Sequence, residues 1–71
     1  MATRTLGERI LAARIGAGLT QSGLSEVSGI AQGHLSEIER GLKTPSLATL
    51  KRLRDALGLN EAVWTTWIDA A

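Results

Sequence analysis

Residues Leu19–Gly41 read LTQSGLSEVSGIAQGHLSEIERG, and the fold is decided there. Thr20 is an N-cap residue standing just before an apolar pattern, so a helix is expected over Gln21–Ser28 with Leu24 and Val27 facing inward. Gly29 closes it. Ile30, Leu35 and Ile38 then form an apolar stripe, which predicts a second short helix over Gln32–Arg40, ended by Gly41.

Working outward, residues 3–17 carry Leu6, Ile10, Ala13 and Ala17, spaced by four, three and four, one face of a helix. Thr3 or Thr5 can cap it. Gly18 is placed to end it in the left-handed conformation. Gly7 and Gly16 inside it each cost up to ~1 kcal/mol against alanine, so this helix is expected to fray. Downstream, Thr44-Pro45-Ser46 is a loop, because proline disfavours helix in the residue before it, and Ser46 is the expected cap of a fourth helix. There Leu47, Leu50, Leu53 and Leu57 continue the pattern to Gly58. Asn60 caps a last helix, residues 61–69, bearing Val63, Trp64, Trp67 and Ile68. Glycines 18, 29, 41 and 58 fall where four helices should stop, so caps and periodicity agree. No stretch alternates with period two over a strand's length. The expectation is an all-α, compact five-helix bundle, one domain over residues 1–71.

Composition narrows the function classes. A 71-residue chain buries only about 60% of its unfolded surface. With 44% hydrophobic residues and no cysteine, it must fold on packing alone, with no disulfide or thiolate metal site. MATRTLGERI lacks the apolar core of a signal peptide, and no apolar run nears a membrane span. The expected setting is the cytoplasm. One histidine, no cysteine or tyrosine, and no paired carboxylates in a plausible pocket argue against an enzyme; no cofactor, metal or small-molecule substrate is expected. Net charge is only +1, but its distribution is uneven. Arg40, Lys43, Lys51, Arg52 and Arg54 fall within fifteen residues that contain no acid, either a solvated helix face or a nucleic-acid footprint.

Two short helices with a glycine in the connecting turn match the helix-turn-helix pattern, expected at about residues 20–40. LGERI, R-x-x-x-GLTQ (Arg14 to Gln21), GIAQGHLSEIERG and K-TPSLATLKRL-x-x-ALGL together resemble the phage repressor and Cro family of helix-turn-helix proteins, over about residues 6–60. The resemblance implies a helical bundle whose third helix lies in the DNA major groove.

By position it implies base contacts from Gln32, Gly33, Ser36 and Glu37. Glutamine can pair with adenine through N6 and N7. Gly33 stands where a longer polar side chain is usual, so it either admits close backbone approach or is a neutral change. Glu37 is either an acceptor for cytosine N4 or a surface acid that repels phosphate. Phosphate contacts are implied for Thr20, Gln21, His34, Arg40, Lys43 and Thr44, with Gln21 also bracing the first glutamine of the recognition helix, and a structural ion pair for Arg14 and Glu39. Three positions depart from the family pattern: Ala31 replaces a capping serine or threonine, Ser25 replaces alanine, and Gly23 replaces a helix former. Together they weaken the local specification of the DNA-reading pair.

The last helix carries more apolar surface than a core this small needs, and such patches mark partners. A homodimer is expected, with Trp67 and Ile68 at its interface and Trp64 mostly core but adjoining it. The alternative is that both tryptophans complete the core. Two functions follow. One is a sequence-specific DNA-binding transcriptional regulator, a small homodimeric repressor reading a palindromic operator in double-stranded DNA. The other is a helix-turn-helix protein-interaction module or antitoxin-type protein with weak or no DNA binding.

Overall fold

In the computed structural model, which describes residues 4–71, five helices follow one another: α1 (Leu6–Gly16), α2 (Gln21–Ser28), α3 (Gln32–Glu39), α4 (Leu47–Leu57) and α5 (Glu61–Ala70). Four of them begin at side-chain caps. Thr5 forms a capping box: its hydroxyl accepts from the Glu8 N–H at 3.2 Å, and Glu8 Oε1 accepts from the Thr5 N–H at 3.2 Å. The alternative cap, Thr3, lies outside the described residues. Thr20, Ser46 and Asn60 cap α2, α4 and α5 by accepting from the amides of Gly23, Thr49 and Val63 at 3.0, 3.1 and 3.0 Å. α3 has no side-chain cap, because Ala31 stands at that position. The chain reverses at Gly18, Gly29, Gly41 and Gly58, each with φ between 63° and 77°, a conformation that strains any residue with a Cβ.

The core consists of Leu6 and Ile10 from α1, Leu24 from α2, Ile30 from the turn, Leu35 and Ile38 from α3, Leu50 and Leu53 from α4, and Trp67 from α5. α2 packs on α3 and α4, and α1 packs on α3 and α5. α3 is therefore gripped from behind by two helices, and its opposite face is left to solvent.

Several expectations are corrected. Val27 is 59% exposed rather than inward. It lies three residues beyond Leu24, about 60° round the helix, and α3 and α4 cover the Leu24 side. Leu47, first residue of α4, is likewise exposed, and Ala17 lies past the end of α1 as its exposed C-cap. Gly7 has a packing role that its helix propensity does not reveal. It is buried, and a Cβ there would stand less than 3.0 Å from the Ile38 and Glu39 carbonyl oxygens, so the glycine is what lets α1 approach the end of α3. Gly16 has open space around it.

Trp67, expected at a dimer surface, is 1% exposed and completes the core; it and Ala13 of α1 line one crevice between α1 and α5. Trp64, expected mostly in the core, is half-buried, and the Arg54 guanidinium lies 4.8 Å from its ring centroid, a cation–π contact. The two tryptophans are three residues apart on a narrow helix, and only one of them can face α1 squarely.

Candidate nucleic-acid interface

The alternation of burial along α3 sorts its side chains. Leu35, Ile38 and Glu39 are buried; Gln32, Gly33 and Arg40 are exposed; His34, Ser36 and Glu37 are half-buried. Positions 32, 33, 36, 37 and 40 recur at helical spacing, so Gln32, Gly33, Ser36, Glu37 and Arg40 form a single outward stripe. All four residues expected to touch bases lie on it. A Cβ at Gly33 would meet nothing within 4 Å, so close packing within the protein is not what requires glycine there. Next to the stripe, His34 Nδ1 is 3.8 Å from Glu37 Oε1.

Behind the stripe is a three-residue polar network. Arg14 Nε donates to Glu39 Oε2 at 2.7 Å and Nη2 donates to Oε1 at 3.0 Å, a forked pair between α1 and the last turn of α3. Arg14 Nη1 donates to the Leu19 carbonyl at 2.9 Å, in the loop ahead of α2. Gln21 Nε2 donates to Glu39 Oε1 at 3.0 Å. The Glu39 side chain is only 3% exposed, so its carboxylate is desolvated and acquires three donors in exchange. Hydrogen bonding to Glu39, opposed by burial, raises the Arg14 guanidinium above its ordinary range.

This network changes the role expected of Gln21. Its amide is directed at Glu39 and not at Gln32, so it braces the C-terminal end of α3. One N–H of that amide and the free backbone N–H groups at the start of α2 remain as donors toward an anion. Thr20, whose oxygen caps α2, sits beside them, exposed.

Arg40, Lys43 and Thr44 are all exposed in the segment that leaves α3. Arg40 Nε makes a long 3.4 Å contact with the Ser36 carbonyl. Lys51 and Arg52 are exposed on α4, whereas Arg54 is occupied by Trp64 and by Asp55 at 3.0 Å. The basic run therefore divides: its first part adjoins the stripe, and its last member joins α4 to α5.

Sequence reasoning passed over two features. One is the close approach at Gly7, where a glycine in the first turn of an otherwise apolar face was the available signal. The other is Ser25 and Ser28, whose hydroxyls both bond to Ile30; two serines flanking the end of α2 were the available signal.

The helix-turn-helix family model HTH_3 matches residues 10–64. The chain belongs to the Cro/C1-type helix-turn-helix family. Relatives in that family include the immunity repressor protein of Bacillus phage phi105, 42% identical over 55 residues that make up 78% of this chain and 38% of that protein. The chain thus spans well under half the length of this relative. An uncharacterised HTH-type transcriptional regulator of Sinorhizobium fredii, y4dJ, is 40% identical over 73% of this chain and 68% of its own. Among solved structures, the restriction-modification controller protein C.AhdI from Aeromonas hydrophila is similar at a TM-score of 0.77 and 29% identity, covering 83% of this chain and 89% of that one. Among the described residues, no helix is long and apolar enough to cross a membrane, and no three His, Asp or Glu side chains gather where they could hold a metal ion.

Proposed function

We propose that this chain is a sequence-specific DNA-binding transcriptional regulator of the cytoplasm that acts as a repressor, by occupying its site. The observation that carries this reading is the outward stripe of α3. Gln32, Gly33, Ser36 and Glu37 face solvent together, on a helix whose other side is anchored by Leu35, Ile38 and the Arg14–Glu39–Gln21 network. Gln32 reads adenine; Ser36 and Glu37 present further groups to base edges; Thr20, Gln21, His34, Arg40, Lys43 and Thr44 hold phosphates. A relative named as a phage immunity repressor supports the sign of regulation.

The protein acts as a homodimer on a palindromic operator with half-sites about one helical turn apart. With Trp67 in the core, the dimer surface is re-centred on Ile68 and Val63, which are 42% and 37% exposed on α5, with the exposed edge of Trp64 beside them. Selection of bound sequences from random duplexes tests both claims at once. A symmetric consensus is expected. Recovery of no consensus defeats sequence-specific reading, and a single asymmetric half-site defeats the dimer.

The second reading, a protein-interaction module or antitoxin-type protein, draws on Gly33 and Glu37, a missing side chain and an acid on the very face that would meet DNA. Salt dependence separates the two. DNA binding through several phosphates weakens steeply as salt rises; binding to a protein through the α5 surface does not.

A further inference from the structure

We infer that Ser25 and Ser28 are positioning residues for DNA reading: their hydroxyls clamp the turn at Ile30 and so set the orientation of the recognition helix. The inference rests on the DNA-reading function proposed above.

The need for a clamp is visible in α3 itself. It is eight residues long, has no side-chain cap, no acid in its first turn, and a glycine at its second position. A helix that short is marginal on local terms alone, and glycine near its start adds backbone freedom where Gln32 must be held. Its N-terminal end is instead fixed from outside, through Ile30. The Ile30 side chain is buried in the core, so its backbone polar groups are partly shielded from water and need partners. Both find them on α2. The Ile30 N–H donates to Ser28 Oγ at 3.2 Å, and the Ile30 carbonyl accepts from the Ser25 hydroxyl. That carbonyl lies outside the helix ladder and accepts no backbone N–H among the described residues.

The direction of the Ser25 bond is informative. A serine inside a helix commonly turns its hydroxyl back to the carbonyl one turn earlier. Ser25 reaches forward five residues, across Gly29. Gly29, at φ 74°, donates its own N–H to the Ser25 carbonyl at 2.9 Å. One residue thus ties both the glycine and the isoleucine of the turn. Gln32 follows two residues after Ile30, so a rotation about the turn displaces it and the stripe behind it. Base contacts depend on that placement, whereas phosphate contacts from Lys43 and Thr44, on the far side of α3, tolerate it.

The test uses Ser25→Ala, Ser28→Ala and a control, Ala56→Gly on α4, which lowers stability away from the turn. Amide exchange at Ile30 and Leu35 is measured by NMR, and affinity is measured for the selected duplex and for an unrelated one. Each serine variant should speed exchange at Ile30 and Leu35 by about fivefold beyond the control, the population change that one lost hydrogen bond produces. The ratio of specific to non-specific affinity should fall by a similar factor, and Ala56→Gly should leave that ratio unchanged. Unaltered exchange at Ile30 and Leu35 overturns the clamp. Faster exchange with an unaltered affinity ratio overturns the positioning role. A native protein that prefers no duplex overturns the DNA reading and the positioning role with it, while the exchange data still judge the clamp on its own.

Discussion

The glycine at position 7 offers a test in which two plausible arguments give opposite signs. Judged by helix propensity, Gly7→Ala should gain up to ~1 kcal/mol. The structure places the new methyl less than 3.0 Å from two backbone oxygens, those of Ile38 and Glu39. Neither is the tip of a flexible side chain. The Ile38 carbonyl already accepts from the Gly41 N–H at 3.1 Å, the bond that turns the chain out of α3, so it cannot retreat without disturbing that turn. α1 must then shift away from α3, and overpacking of this kind costs typically ~1–3 kcal/mol. Because the obstacle is backbone on both counts, the upper part of that range applies. The net after the propensity gain is a loss of about 1–2 kcal/mol. In a domain of this size that lowers Tm by roughly 4–16 °C.

The matched control is Gly16→Ala, in the same helix with open space around it, where only the propensity gain applies. Thermal unfolding of the two variants beside the native chain is sufficient. Opposite signs are expected. A Gly7→Ala protein as stable as Gly16→Ala would refute the close approach of α1 to α3.

Four further outcomes follow from the same structure. Glu39→Gln should destabilise by ~3 kcal/mol, the low end for a broken buried pair because Arg14 keeps some solvent, whereas replacing both partners by methionine should lose less; denaturant unfolding of the two variants beside the native chain checks this. Trp67→Ala should cost ~3–5 kcal/mol in thermal unfolding, while Ile68→Ala should leave monomer stability within about 0.5 kcal/mol and weaken self-association in sedimentation equilibrium. The backbone and side-chain hydrogen bonds from Thr5 hold the Glu8 carboxyl below its reference value of 4.5. Native chain should therefore exceed Glu8→Gln in stability above that pH and lose the advantage as pH falls below it, which unfolding at a series of acidic pH values can follow. Gln32→Ala should cost ~1–3 kcal/mol on the preferred duplex and relax preference at one base pair, whereas Lys43→Ala should weaken all duplexes alike and lower the salt slope by about one; equal loss on every duplex for Gln32→Ala would defeat its assignment as a reader.

Helix ends were the part most open to sequence reading. Thr5, Thr20, Ser46 and Asn60 each act on an amide three residues away, and a glycine needs no distant partner to adopt positive φ. Interactions this local depend on spacing alone. The outward stripe of α3 was legible for the same reason, since helical periodicity separates Gln32, Gly33, Ser36 and Glu37 from Leu35 and Ile38. Orientation between elements was less legible. Val27 and Leu47 have the right residue type and nearly the right spacing for burial, yet no neighbouring helix covers them. Trp64 and Trp67 differ little as residues on a helix; the position of α1 decides which of them is core.

By itself, then, the sequence determined five helices, their caps and turns, and the face of α3 that meets solvent, because all of these follow from residues within one or two turns of each other. The resemblance carried by LTQ, GI-x-Q, IE-x-G and PSL determined the family. The tertiary structure alone decided that Gly7 is a contact point, that Trp67 is interior, that Gln21 serves Glu39 rather than Gln32, and that Ser25 reaches across the turn to Ile30. Each of these depends on how closely two helices approach or which side of an element its neighbour covers, and a periodic pattern in one element contains no record of the distance to the next.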